Sequence, residues 1–225
     1  LLAAGERLSA LVIADRLKQY GIKAHPVGAE DIGLRLNGIN RAPTVDLAAS
    51  MGLLDRNALH DTPVITGWFG EGKDGELALL SRGGSDHTAT SIGRLVDAAR
   101  VILWKDVEGI LPLNPRWGIV TEPIAYLGYG EAMELSRLDT PILHPATVEP
   151  LADTGIPLEV RHLHGQVNER AATVVGPDLY EENVIKAIGC LPSVVSIHCL
   201  TRSLEQQSRR LGEILVNFAE AEIAC

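Results

Sequence analysis

The feature that most constrains the fold is a repeated alternation of short apolar runs with segments of helical spacing. Residues 63–67 (PVITG) and 101–104 (VILW) are runs that suit buried strands, and residues 89–99 between them have the apolar spacing of a helix. Strand, helix and strand in succession form a crossover unit. The alternation therefore predicts an α/β sandwich with a mainly parallel sheet.

The first segment predicts an amphipathic helix that leads into a strand. Leu8, Leu11, Val12, Ala14 and Leu17 recur at helical spacing, and Gly21 ends the pattern before an extended run at residues 22–27. Charged residues interrupt the apolar pattern, so we expect neither a membrane span nor a signal peptide. Because the chain has no initiator Met, we expect it to begin within a longer protein.

The second half predicts further elements and a domain boundary. Helices are expected at residues 130–138 and 147–152, and a strand at residues 156–160. The Gly-Pro-Asp sequence at 176–178 then breaks the pattern. Beyond it we expect strands at 183–188 and 194–198 and an amphipathic helix at about 204–219. We therefore divide the chain into domains 1–176 and 177–225.

Composition excludes several classes of function. The 20 basic and 29 acidic residues give a formal net charge of −9, and no basic run is present, so nucleic acid is not expected as a partner. The three cysteines lack CxxC spacing, which argues against a disulfide framework and a zinc site and favours a cytoplasmic location. We expect these cysteines to be buried as small hydrophobic residues.

The first candidate site is the sequence SRGGSD at residues 81–86, between a strand that ends near Leu80 and the following helix. Two glycines allow backbone N–H groups to approach a ligand, and a helix N-terminus favours an anion. Arg82 could bind a carboxylate or phosphate with two hydrogen bonds. The same sequence would also suit a tight turn in which Ser85 or Asp86 caps the helix.

The second candidate site follows the strand at residues 101–104. Lys105 and Asp106 come directly after this strand, and Arg116 follows ten residues later. Polar residues at the carboxyl end of a parallel strand usually border a ligand crevice, so these three could meet a nucleotide. A solvated loop would give the same sequence pattern. No GxxxxGK[ST] loop is present, so the phosphate site is not of the P-loop kind.

Other charged residues predict structural roles. Glu131, Glu134 and Arg137 share a helical face at spacings that are typical of solvated ion pairs, and we assign them no chemistry. His144 precedes a proline, where a packed and hydrogen-bonded histidine is expected rather than a metal ligand.

The order and spacing of these segments resemble the aspartokinase branch of the amino acid kinase family. The matching segments are GERLSA at 5–10, PVITG at 63–67, RGGSDHTAT at 82–90, WKDVEG at 104–109, NPR at 114–116, EAMELS at 131–136, LHP at 143–145 and PLEVR at 157–161. The segment from Asn183 onward resembles the start of an ACT domain, a regulatory module that follows the kinase domain in this family.

The resemblance implies a three-layer α/β sandwich with the amino-acid kinase fold at 1–176, followed by a truncated α+β ACT domain of ferredoxin-like fold at 177–225. It implies transfer of the γ-phosphoryl group of ATP to the β-carboxylate of L-aspartate, the first step in the biosynthesis of lysine, threonine, methionine and isoleucine. Mg²⁺ would be carried by ATP. An amino-acid effector and homo-oligomer formation would involve the ACT domain.

By the same resemblance, Glu6 and Arg82 would bind the amino and carboxylate groups of aspartate. Ser85 would also contact the substrate, with Asp86 as the catalytic residue at the reacting end. The nucleotide site would be lined by Lys105, Asp106, Leu111 and Arg116.

Two departures from the family pattern leave alternatives open. The family's KFGG segment lies outside this chain, and Pro141 stands where the family usually has a lysine, so a phosphate-facing cation is replaced by a ring that donates nothing. The alternative is therefore a catalytically degenerate regulatory subunit of the same fold. A third possibility is a kinase of the same superfamily that acts on glutamate, uridylate or carbamate.

Overall fold

The computed structural model describes residues 2–37, 43–138, 143–164, 171–179, 184–190 and 204–220. The chain divides into two compact units, Leu1–Cys190 and Leu191–Cys225, and each is described by itself. Among the described residues, no helix has the length and apolar character needed to cross a bilayer.

The first unit alternates helices and short strands, as the sequence pattern predicts. Its described helices are α1 (Ala3–Gln19), α2 (Leu47–Leu53), α3 (Gly84–Leu95), α4 (Tyr129–Arg137) and α5 (Pro145–Val148). Its described strands are β1 (Ala24–Val27), β2 (Leu36–Asn37), β3 (Thr44–Val45), β4 (Thr62–Ile65), β5 (Phe69–Glu71), β6 (Leu77–Leu79), β7 (Val101–Lys105), β8 (Tyr126–Gly128), β9 (Leu158–His162) and β10 (Thr173–Gly176). Short 3₁₀ segments lie at Arg56–Leu59, Pro115–Trp117 and Glu149–Leu151.

The sheets are mixed, and the expectation of a mainly parallel sheet is corrected to that extent. Strand β1 runs parallel to β4, and the larger sheet has the order β7-β9-β10-β8. In that sheet β7 and β9 are parallel, as are β8 and β10, whereas β9 and β10 are antiparallel. The connection from β9 to β10 has fewer than the dozen or so residues that a parallel crossover needs, so the chain reverses direction there.

The core of the first unit lies on the larger sheet. Leu158 and Val160 of β9 and Val175 of β10 are fully buried, together with Val148 and Leu151, which follow one another through α5 and the next 3₁₀ segment. A second cluster of buried residues packs around the smaller strands. Its members are Ala29, Leu34, Leu36, Val45, Leu80 and Leu95.

Helix α1 forms where predicted, but most of its predicted apolar residues are exposed. Ala10 and Ala14 are buried against β1 and β4, whereas Leu8, Leu11 and Val12 remain 62%, 54% and 59% exposed. Alanine side chains let the helix approach the strands closely, and the larger residues are turned away. The apolar spacing therefore identified the helix correctly, but of the predicted apolar residues Ala14 is buried, Leu17 is partly buried and the others are exposed.

The segment after β9 differs most from expectation. Strand β10 was not anticipated, and residues 184–188 form no strand although one was predicted at 183–188. The described residues between 177 and 190 belong to the first unit. The Tyr126 hydroxyl donates to the Pro177 carbonyl at 2.7 Å, and the Ile188 N–H donates to the Pro112 carbonyl at 2.8 Å.

In the second unit the structure describes α6 (Leu204–Glu220), close to the amphipathic helix predicted at 204–219. The strand predicted at 194–198 lies outside the described residues. The assignment of residues 177–225 to an ACT domain therefore stays a prediction.

Candidate functional site

The N-terminus of α3 is formed by two glycines, and any other residue at either position would displace neighbouring atoms. Gly83 has φ +79°, and a Cβ there would lie 2.9 Å from the Cβ of His144. A Cβ on Gly84 would lie 2.5 Å from the Cβ of Leu80. No side chain caps this helix, and the Gly84 N–H donates to the Ser81 carbonyl at 3.0 Å. The N–H groups of Ser85 and Asp86 and the positive end of the helix dipole are therefore available to an anion.

A cleft of about 380 Å³ opens in front of this helix terminus. Its described lining residues are Glu6, Trp68, Ser81, Arg82, Gly83, Gly84, Ser85, Asp86 and Lys105. Five of the predicted site residues therefore come together, although α1, the loop before α3, the first turn of α3 and the end of β7 supply them from separate parts of the sequence.

Glu6 reaches the cleft from α1. Its Oε2 accepts a hydrogen bond from the Gly67 N–H at 3.4 Å, which holds the carboxylate beside the end of β4. A Cβ on Gly67 would lie 3.2 Å from the Cα of Ser85, so the end of β4 also packs tightly against the first turn of α3. These contacts therefore hold α1, the end of β4 and the first turn of α3 together around Glu6.

Lys105 and Asp86 form an ion pair inside the cleft. The Lys105 Nζ lies 2.5 Å from the Asp86 Oδ2, and the two side chains are 24% and 21% exposed. Asp86 lies in the first turn of α3, where the helix dipole also favours a negative charge. The pair places one ammonium group and one carboxylate in front of the open N–H groups.

Arg82 and Ser85 are both exposed to the cleft. Within the part of the chain that the structure describes, neither side chain forms a hydrogen bond or ion pair. The guanidinium and hydroxyl groups are therefore free to bind a ligand, as the sequence predicts for a carboxylate or phosphate site.

The other three predicted residues follow β7 and do not line this cleft. Asp106 and Arg116 are exposed and Leu111 is partly buried. The Asn114 side chain accepts from the Arg116 N–H at 2.9 Å. A nucleotide role for Asp106, Leu111 and Arg116 stays a prediction. Pro141, the other residue on which that prediction depends, lies outside the described residues.

Trp68 lines the cleft and was missed by sequence reasoning. Its backbone has φ +70°, a left-handed conformation that costs a residue with a side chain about 1–2 kcal/mol. Its N–H donates to the Thr88 hydroxyl at 3.1 Å, and its carbonyl accepts from the Leu80 N–H at 2.8 Å. The available signal was its position at the end of a predicted strand, next to a glycine.

His87 was also missed, and it lies beneath the cleft. It is 5% exposed, its Nε2 accepts from the Val45 N–H at 3.0 Å, and its Nδ1 donates to the Ala146 carbonyl. Burial lowers the pKa of His87 below its usual value, against an opposing effect of the hydrogen bond to Ala146. A neutral imidazole therefore joins β3, α3 and α5.

The structure tests the structural roles that were predicted for His144 and Glu131. The His144 Nδ1 accepts from the Ala146 N–H at 3.3 Å, so the expected hydrogen bond is present, but the residue is exposed rather than packed. Glu131 accepts from the Gly128 N–H at 2.8 Å and pairs with Lys186 at 3.0 Å. Although burial acts in the opposite direction, these two partners lower the pKa of Glu131. Glu131 thus caps α4, a role that spacing alone did not reveal.

Cysteine and metal chemistry find little support in the described part of the chain. Cys190 is exposed, so its expected burial is wrong, and Cys199 and Cys225 lie outside the described residues. Among the described residues, no three His, Cys, Asp or Glu side chains are grouped closely enough to hold a metal ion.

An α/β unit in which an open helix N-terminus lies beside the ends of strands is typical of enzymes that bind phosphate or carboxylate groups. The model of the amino acid kinase family matches residues 1–162. The chain therefore belongs to the amino acid kinase family.

Within that family, the similar proteins include aspartokinases. The chain is 34% identical over 169 residues to aspartokinase 1, chloroplastic, of Arabidopsis thaliana, covering 72% of this chain and 30% of that protein. It is 32% identical over 230 residues to aspartokinase 2, chloroplastic, of the same plant, covering 100% of this chain and 42% of that protein.

A solved aspartokinase structure is also similar to this chain. Escherichia coli aspartokinase III in complex with aspartate and ADP superposes with a TM-score of 0.71 and 27% identity, covering 81% of this chain and 41% of that one. This chain thus spans less than half the length of each of these relatives.

Proposed function

We propose that the whole protein is an aspartate kinase that transfers the γ-phosphoryl group of ATP to the β-carboxylate of L-aspartate and forms 4-phospho-L-aspartate. The observation that carries this proposal is the convergence of Glu6, Arg82, Ser85, Asp86 and Lys105 in one cleft at the N-terminus of α3. The solved relative contains aspartate and ADP, which supports the same pair of ligands here.

The charges in the cleft suit an amino acid that carries two carboxylates. Glu6 can accept hydrogen bonds from the α-ammonium group, since among the described residues its carboxylate accepts only the 3.4 Å contact from the Gly67 N–H. Arg82 can hold the α-carboxylate with two parallel hydrogen bonds. The β-carboxylate would then lie toward Ser85 and Asp86, at the reacting end.

Phosphoryl transfer requires positioning and stabilisation of charge more than covalent work by the protein. Lys105 can face the phosphates, and the ion pair with Asp86 fixes its ammonium group in advance. The N–H groups of the first turn of α3 add further hydrogen-bond donors. Asp106, Leu111 and Arg116, on the loop after β7, would contact the rest of the nucleotide.

We infer that Mg²⁺ arrives with ATP. The described residues hold no group of three metal-binding side chains, and Mg²⁺ usually binds through substrate phosphates with one or two carboxylates. Asp86 lines the cleft and Asp106 follows Lys105 in the sequence, so these two carboxylates could contact the ion. When bound, the ion would neutralise charge on the phosphates.

The proposal extends to regulation and location. We assign residues 177–225 to a partial ACT domain that binds an amino-acid effector and joins copies of the protein, on the basis of the family resemblance from Asn183 onward. The three-layer arrangement and a cytoplasmic location belong to the same proposal. Pathway placement follows from the product, which is the first intermediate toward lysine, threonine, methionine and isoleucine.

The degenerate regulatory subunit is the less favoured reading. A protein freed from catalysis has no need to keep an open arginine and a partly buried lysine–aspartate pair in one cleft. The test measures ADP release by the whole protein with ATP and a panel of acceptors, and a hydroxamate assay identifies acyl phosphate products. We expect product with L-aspartate and little with L-glutamate, UMP or carbamate. No product with any acceptor would support the regulatory subunit, and product with another acceptor alone would replace aspartate by that substrate.

A further inference from the structure

The cleft has one large apolar wall. Among its described lining residues, Trp68 is the one with a large apolar side chain, and all the others are glycine, polar or charged. Trp68 immediately follows Gly67, whose N–H contacts Glu6. The indole therefore starts next to the group proposed to bind the α-ammonium group of the substrate.

A buried hydroxyl relay holds this residue in place. The Trp68 N–H donates to the Thr88 Oγ1 at 3.1 Å, and the Thr88 hydroxyl donates to the Gly84 carbonyl at 2.8 Å. Thr88 is 2% exposed, so the relay is shielded from water. A left-handed, bulky residue persists only where its surroundings fix it, and such residues concentrate at functional sites.

The indole also packs directly on the anion-binding turn. A Cβ on Gly84 would lie 2.7 Å from the Trp68 Cδ1, which puts the edge of the ring over the first residue of α3. The position of the ring is therefore coupled to the helix terminus where the substrate carboxylate would bind. A ligand that fills the space between Glu6 and the first turn of α3 must fit beside this ring.

We propose that Trp68 is a specificity-determining residue that limits the length of the acceptor amino acid. The rigid ring leaves room for an acceptor with the two-carbon spacing between carboxylates found in L-aspartate, and it excludes L-glutamate, which is longer by one methylene. This proposal rests on the proposed aspartate kinase function. A pocket can discriminate one methylene by roughly 10- to 200-fold.

The test uses two variants of Trp68, one that keeps an aromatic ring and one that removes it. Trp68→Phe keeps an aromatic wall and the left-handed conformation, whereas Trp68→Gly removes the wall and relieves that conformation. We expect Trp68→Gly to raise the aspartate KM about tenfold or more and to change kcat by less than about threefold. The value of kcat/KM for aspartate divided by that for glutamate should fall at least about tenfold. Trp68→Phe should stay within about threefold of wild type.

Asp97→Gly is the matched control, because Asp97 also has a left-handed backbone, with φ +53°, but does not line the cleft. It should leave the KM and the acceptor ratio unchanged. A Trp68→Gly variant that keeps the wild-type ratio, or that loses kcat and thermal stability without changing the ratio, would overturn the proposal. Failure of the wild-type protein to phosphorylate aspartate would instead remove the proposed function and this inference together.

Discussion

Lys105 and Asp86 form an ion pair of 2.5 Å that joins the end of β7 to the first turn of α3. The two residues belong to different predicted sites, one for the nucleotide and one for the acceptor. Their contact means that the two halves of the proposed reaction meet at one point. A lysine held in this way by a carboxylate needs little reorganisation to face a transferring phosphoryl group.

Replacement of Lys105 by Ala in the whole protein should weaken ATP binding by about 1.5–3 kcal/mol, the scale of a charge-assisted hydrogen bond. Isothermal titration with ATP measures this loss. Lys73→Ala is the control, because Lys73 is exposed in the turn between β5 and β6 and does not line the cleft. If the wild type binds ATP and neither Lys105→Ala nor Arg116→Ala weakens that binding, the assigned nucleotide site is wrong.

Arg82→Lys should raise the KM for aspartate about tenfold or more, because an ammonium group cannot form the two parallel hydrogen bonds of a guanidinium group. The hydroxamate assay measures the KM directly. Arg56→Lys, at an exposed position in the 3₁₀ segment after α2, should have no effect. An unchanged KM in Arg82→Lys would remove Arg82 from the substrate site.

Gly84→Ala should destabilise the protein by about 1–3 kcal/mol, since the added methyl group would meet Leu80 and Trp68 at 2.5 and 2.7 Å. The same substitution at Gly5, in the interior of α1 with nothing within 4 Å, should stabilise it by about 0.5–1 kcal/mol. Urea unfolding of both variants measures the difference. Equal effects at the two positions would show that the first turn of α3 is not tightly packed.

His87 should make stability depend on pH. Its folded-state pKa is lowered by burial, so below about pH 6.5 the unfolded chain binds a proton that the folded chain does not. The free energy of unfolding should therefore fall as pH falls below about 6.5, by up to about 1.4 kcal/mol per pH unit, until the folded-state pKa is reached. Nearby Glu149 opposes and nearby His144 reinforces this shift.

Urea unfolding at pH 7.5 and 5.5 tests this dependence. His87→Gln should be less stable than wild type at pH 7.5, because it loses the bonds to Val45 and Ala146, but its stability should change less between the two pH values. His164→Gln, at an exposed histidine, should keep the wild-type dependence. An identical pH dependence in wild type and His87→Gln would show that His87 titrates normally in the folded protein.

Much of the fold could be predicted because many of its elements are defined by local sequence patterns. Strand β7 forms where the apolar run indicates it, because it is defined by residues near in sequence. Helix α3 overlaps the helix predicted at 89–99, but it begins five residues earlier, at Gly84, and ends four residues earlier, at Leu95. Strand β10 was missed because its three β-branched residues, Thr173 to Val175, are too few to give a period. The buried face of α1 depends on how closely the helix approaches β1 and β4, which spacing alone does not determine.

The site was predictable to a similar extent. Arg82, Ser85 and Asp86 lie within five residues of one another, around two glycines that indicate the turn into α3, so their grouping could be foreseen. Trp68 and His87 could not, because their roles depend on partners 20 residues away at Thr88, and 42 and 59 residues away at Val45 and Ala146. Contacts at such separations leave no periodic trace in one sequence.

The most direct test of the central claim is the kcat for aspartate phosphorylation by the whole protein and its Asp86→Asn variant. Asparagine keeps the size of the side chain but removes the charge that holds Lys105. We predict ATP- and aspartate-dependent hydroxamate formation by the wild type and a kcat lower by about 10²-fold or more in the variant, since a preorganised group is lost from the reacting end. Wild-type protein without aspartate-dependent turnover, or a variant with unchanged kcat, would contradict the account.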